Sequence, residues 1–114
     1  MVVVTNQTQQ TIVADRCEVA SAPLTRLVGL LNRHTLTPGE GLIFPRCHSI
    51  HTWFMRFSID VVFLKQGVVI KTVAALRPFR LRWAREADTV IELPSGTAAK
   101  AAIRPGHTLE WTPL

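Results

Sequence analysis

Ser49-Ile50-His51-Thr52-Trp53-Phe54-Met55-Arg56-Phe57-Ser58-Ile59-Asp60-Val61-Val62-Phe63-Leu64 is apolar enough to form a central core strand, yet it carries His51, Arg56 and Asp60. A carboxylate in such a run must be hydrogen-bonded, paired or neutral. An ionised group stranded in apolar surroundings costs several kcal/mol or more. In an extended chain the odd positions from Trp53 to Phe63 share one face, and the even positions from Phe54 to Leu64 share the other. The even face is the mixed one and places Arg56 on the side of Asp60. Four residues of flat strand would hold their backbones roughly 13 Å apart. The stretch is too long for one flat strand, so a bend or break is expected near Arg56-Phe57-Ser58. Asp60 is then either a structural carboxylate, accepting hydrogen bonds from a neighbouring loop or helix N-terminus, or part of a binding or catalytic site.

Outward from this stretch, short apolar runs alternate with turn residues. Val2-Val3-Val4 and Gln10 to Ala14 read as two strands around a polar turn at Asn6-Gln7. Cys17-Glu18-Val19 extends the second, past an irregularity at Asp15-Arg16. Ser21 offers an N-cap hydroxyl, Pro23 suits a first helical turn, and Leu24, Leu27, Val28, Leu30 and Leu31 follow at helical spacing to about Asn32. Thr37 to Gly41 is a turn, and Gly41 to Phe44 begins a strand that Pro45 interrupts. Gln66-Gly67 turns Val68 to Val73 back as a hairpin partner of the central stretch. Arg77 to Arg85 shows no clean period and reads as a long exposed loop. Asp88 to Leu93 is a further strand, Pro94 to Thr97 leads a second short helix through Ala98 to Ala102, and His107 to Trp111 is the last strand. The spacing predicts a β-rich (α+β) fold, a small rolled sheet or barrel of six to eight strands with two short peripheral helices.

The chain has 114 residues, which fits one domain, with 47% hydrophobic and 18% charged residues. That balance excludes a disordered protein. No apolar run approaches the roughly 20 residues of a membrane-spanning helix. The N-terminus lacks the basic start and long apolar stretch of a signal peptide. A cytoplasmic protein with no membrane contact is expected. The two cysteines, Cys17 and Cys47, are then reduced thiols. The net charge is +5, and this surplus is compatible with an anionic partner and equally with simple solubility.

Three constellations could carry chemistry. Cys47, His48 and His51 are metal-ligand types within five residues. On a strand, though, Cys47 and His51 would lie roughly 13 Å apart against bond lengths of about 2.0–2.3 Å. A packed thiol and a hydrogen-bonded imidazole are expected, with no metal and no cofactor. A nucleophilic Cys47 with His51 and Asp60 has the composition of a triad, but no catalytic motif in the sequence supports it. The third constellation is Arg77, Arg80, Arg82 and Arg85 with Phe79 and Trp83 among them. Arginines neutralise phosphates and exposed aromatics stack on bases. The plainer expectation is a solvated loop whose aromatics pack back onto the sheet while the guanidinium groups reach outward.

Gly29-Leu30-Leu31-Asn32-Arg33, Gly39-Glu40-Gly41-Leu42-Ile43-Phe44, Phe54-Met55 with Ile59-Asp60-Val61-Val62-Phe63, Arg77-Pro78, and Ile91-Glu92-Leu93-Pro94-Ser95-Gly96 occur in an order and spacing that resembles the DUF192 family. The resemblance runs from about Val13 to Trp111. This chain departs from the family pattern in three places. It has Phe54-Met55-Arg56-Phe57-Ser58 where the family has Trp-Met-Lys-Asn-Thr, and Gly29-Leu30-Leu31 where the family has Gly-Leu-Met. His107 stands at the usual aspartate after the late glycine. The resemblance implies a compact β-rich fold with peripheral helices and no established activity. Arg33, Glu40, Met55, Asp60 and Pro78 match its motif, and so are candidates for a shared groove and equally for shared folding determinants.

The sequence therefore supports a small β domain that binds a ligand or partner chain in a groove near Asp60. Arg33, His51, Met55, Arg56 and Asp60 are its candidate residues. Two alternatives stand beside it: a hydrolase or transferase using Asp60 with His51, and a nucleic-acid-binding module using the Arg77–Arg85 loop.

Overall fold

The computed structural model describes residues 1–20, 36–53 and 55–114. Their elements, in chain order, are β1 (Val2–Asn6), β2 (Thr11–Val19), β3 (Glu40–Pro45), β4 (Ser49–His51), β5 (Ile59–Lys65), β6 (Val68–Leu76), β7 (Leu81–Trp83), β8 (Thr89–Pro94), the single helical turn α1 (Thr97–Lys100), and β9 (Leu109–Pro113). Seven strands form one sheet in the order β6-β5-β8-β3-β2-β1-β9, while β4 and β7 pair as a separate two-stranded sheet. Within the large sheet β2 and β3 run parallel and the other neighbours antiparallel.

The large sheet rolls until its outer strands meet. Val68 at the start of β6 bridges Thr108 just before β9. Val69 N donates to His107 O at 2.8 Å, and Leu109 N to Gly67 O at 2.8 Å. The result is a curled half-barrel whose seam is stitched at one end, the rolled sheet that the turn spacing predicts.

Strand β5 explains the curl's core. Six of its seven residues, Ile59 to Leu64, are buried, so both of its faces are covered. Val62 and Leu64 join Val4, Cys17, Ile43 and Ile91 in an apolar cluster to which every strand of the large sheet contributes, as the hollow of a curled sheet requires. Ile59, Val61 and Phe63 pack on the opposite face with Leu42, Phe44 and Val90, beneath Ile50 of β4. Full burial of each such side chain is worth about 1.5–3 kcal/mol.

Three expectations change. The central stretch does give two strands, one ending at His51 and the next starting at Ile59, and the first, β4, lies outside the large sheet. The segment Arg77–Arg85 is not all loop, because Leu81–Trp83 pairs with Ser49–His51. A three-residue strand whose partner lies far away in the chain leaves no local periodicity, and these two strands raise the count to nine among the described residues. The second helix is one turn, Thr97–Lys100, shorter than the alanine run suggests. The helix expected up to Asn32 lies outside the described residues.

Candidate functional site

Asp60 is fully buried in β5, and both carboxylate oxygens accept from the backbone. Oδ1 accepts from Ala75 N at 2.8 Å, and Oδ2 accepts from Gly96 N at 3.0 Å and Ala98 N at 2.8 Å. The first bond holds a β-bulge. The β5–β6 register slips between the pairs Ile59–Leu76 and Val61–Val73, and Ala75 there adopts a left-handed φ of 50°. Such a φ disfavours a residue with a Cβ, so the bulge needs an acceptor to fix it. The other two bonds satisfy N–H groups at the start of α1, where Gly96, at φ 94°, has no side chain to cap with. Asp60 thus acts as a cap delivered from a neighbouring strand. Its partners include no imidazole.

Thr52, buried in the gap between β4 and β5, fastens the next segment. Its Oγ1 donates to Arg77 O at 2.6 Å and accepts from Arg80 N at 2.9 Å. Its backbone N donates to Arg80 O at 2.9 Å, and its carbonyl accepts from Phe79 N at 2.9 Å. Phe79 has a φ of 61°, so this turn too is held in a conformation that the network must fix. Nothing in a lone threonine marks it in advance as an anchor, and the sequence reading passes over it.

Between these two fastenings opens a cleft of ≈ 260 Å³. It is lined by Val73 to Leu76 of β6 together with Arg77, Arg80 and Arg82. Arg80 Nη1 donates to the carbonyls of Pro78 and Phe79 at 3.3 Å, and Arg82 Nη1 to that of Leu81 at 2.7 Å. Among the described residues no carboxylate pairs with any of the three. The one ion pair there joins Arg16 to Asp15. Three arginines thus line one concavity with no carboxylate partner among the described residues, an arrangement that raises the local potential and favours an anion.

The remaining candidates scatter. His51 is exposed on β4, with its ring centroid 4.8 Å from that of Trp53. Met55 is buried in the apolar cluster beneath β4. Arg56 and Arg85 are exposed and do not line the cleft. Arg33 lies outside the described residues. Cys47 Sγ donates to Ser49 O at 3.0 Å, and both cysteines are free thiols. Burial, with a smaller contribution from Asp15, pushes the Cys17 thiol up to about 11. Among the described residues no three His, Cys, Asp or Glu side chains converge as metal ligands would. The aromatics of the arginine segment do not pack back onto the sheet: Phe79 is 55% exposed and Trp83 57%.

A second buried carboxylate was legible but unread. Glu92 sits in β8 and is only 3% exposed. It pairs across the sheet with Leu42 on one side and Val61 on the other. Among the described residues its Oε2 has no hydrogen-bond partner. Burial raises its pKa to about 8. The signal was the one that marks Asp60, an acid in an apolar run, here Val90-Ile91-Glu92-Leu93.

The DUF192 family model, described as Uncharacterized ACR, COG1430, matches residues 2–111. The chain belongs to the DUF192 family. A UPF0127 protein of Pyrococcus abyssi (strain GE5 / Orsay) is 32% identical over 118 residues, covering 97% of this chain and 98% of the relative. Another, from Pyrococcus furiosus, is 34% identical over 64 residues, 55% of each. The DUF192 fold recurs in a crystal structure of a protein of unknown function from Novosphingobium aromaticivorans DSM 12444. That likeness has a TM-score of 0.79 at 25% identity and covers 96% of this chain and 83% of the other. A Sinorhizobium meliloti 1021 structure, described as that of a candidate transcription regulator, gives a TM-score of 0.81 at 24% identity, covering 96% and 91%. At that identity it speaks for the DUF192 fold alone. The family carries no established activity, and no helix among the described residues is long and apolar enough to cross a membrane.

Proposed function

We propose that this DUF192 protein is a binding domain for an anionic ligand, held in the cleft of Arg77, Arg80 and Arg82. The observation that carries the reading is the set of three arginines, none with a carboxylate partner among the described residues, lining one concavity whose backbone is fastened at both ends. Asp60 enters as the residue that shapes the floor through Ala75, and Thr52 as the residue that sets the arginine-bearing turn. A cavity of ≈ 260 Å³ is smaller than the roughly 300–1,000 Å³ of drug-sized sites, so it suits a phosphate or carboxylate head rather than a whole large ligand. Two free thiols are in keeping with a reducing, cytoplasmic setting.

Calorimetric titration with inorganic pyrophosphate at low salt tests the proposal. The wild-type chain is expected to bind, and Arg80→Ala and Arg82→Ala each to weaken binding about tenfold, the worth of one lost charge-assisted contact. Absence of binding, or equal binding by the double variant, overturns it.

A further inference from the structure

We infer that the anion taken up at this cleft is the backbone of a single-stranded nucleic acid, whose bases stack on the outward face of the β4–β7 sheet. The inference rests on the anion-binding reading above and adds the partner. In the β4–β7 register Ser49 faces Trp83, Ile50 faces Arg82 and His51 faces Leu81. Alternation therefore puts Trp83, Leu81 and His51 on one side and Arg82 with the buried Ile50 on the other. The outward side carries large apolar groups that a solvated sheet has no folding reason to show. Trp83 is 57% exposed and Leu81 44%, and the His51 ring tilts against a Trp53 that is 41% exposed. Phe79 stands out at the turn that leads into β7. The inward side of the same short strand delivers Arg82 to the cleft, beside Arg77 and Arg80. Lys71 Nζ reaches Trp83 O at 2.9 Å and adds a cation at the strand's edge. The local acids are few: Glu86 is exposed at the following turn, and Asp88 accepts from Gln66 N and the Thr89 hydroxyl.

Cations along one side of a strand and ring faces along the other match a polymer with a charged backbone and planar bases. An acidic peptide would meet the arginines equally well, but would leave the rings without a planar partner. Duplex DNA would meet the arginines too, but its bases are stacked within the double helix and offer the exposed rings no free face.

The test compares a 12-nucleotide single-stranded DNA with an abasic strand of equal phosphate count, read by tryptophan fluorescence on the whole chain. The base-bearing strand is expected to bind about tenfold or more tightly, with quenching, because stacking adds to the phosphate contacts. Its log–log salt slope should be about −2, as three single-strand phosphate contacts require. Trp83→Ala should reduce the ratio of base-bearing to abasic affinity severalfold, and Trp83→Phe should restore most of it. Both Trp83 variants alter an exposed side chain, so circular dichroism should show an intact fold. Equal binding of the two strands, or of poly-glutamate at matched charge, overturns the nucleic-acid partner and leaves the anion reading standing. If neither the strands nor pyrophosphate binds, both readings fall.

Discussion

Asp60 and Glu92 occupy adjacent strands, each an acid in an apolar run, and they have opposite fates. Asp60 gathers three backbone N–H groups from β6 and from the start of α1. Glu92, one residue pair along the same ladder and on the other face, has an oxygen that finds no partner among the described residues, and burial lifts its pKa to about 8. The difference lies in what each face meets. The Asp60 side opens onto a bulge and a helix start, both places where backbone donors are left over. The Glu92 side lies between Leu42 and Val61, paired strand positions whose backbone donors are already used in the sheet. A buried acid is therefore informative only together with the irregular backbone around it.

The comparison breaks most readily at Asp60. Asp60→Ala leaves three buried N–H groups without their acceptor and should cost roughly 4 kcal/mol or more in urea unfolding, with Asp60→Asn milder because one amide oxygen can still accept. A loss under about 1 kcal/mol would mean that the three bonds are dispensable. Glu92 should behave in the opposite sense. Its folded pKa lies above its unfolded value, so the contribution is fully present below about pH 4.5 and lost as pH rises to about 8, by at most about 1.4 kcal/mol per unit. Glu92→Gln is expected to flatten this dependence and to be the more stable protein at pH 8, by roughly 1–3 kcal/mol, when unfolding is followed from pH 4.5 to 8.5. Parallel pH curves for the two proteins would mean that Glu92 is ionised in the fold. Thr52→Val should have the smallest effect on stability, about 1–2 kcal/mol, together with a severalfold loss of pyrophosphate affinity, because the hydroxyl aligns the turn that carries Arg77 and Arg80. Unchanged affinity would separate that turn from the cleft.

Much of the large sheet was readable, since the apolar runs Ile59 to Leu64 and Val68 to Val73 flank the glycine turn at Gln66-Gly67 and pair across it. The parallel pairing of Arg16 to Val19 with Glu40 to Ile43 was not, because partners without a connecting turn leave no local trace. Asp60 announced itself through composition alone. The cleft was half visible: its arginines stood out in the sequence, but their convergence depends on a β7 strand that only a nonlocal partner creates, and on a threonine indistinguishable from any other. The outward turn of Phe79 and Trp83 runs against hydrophobic expectation, since both rings are exposed.

The amide of Ala75 is distant in the chain from those of Gly96 and Ala98, yet all three bond one carboxylate. Deuterium uptake at any of them therefore requires the same side chain to let go. An occupant seated beside Arg77 should slow isotope exchange at Ala98 as well as at Ala75. The first turn of α1, which does not itself line the cleft, then becomes a gauge of whether the cleft is filled.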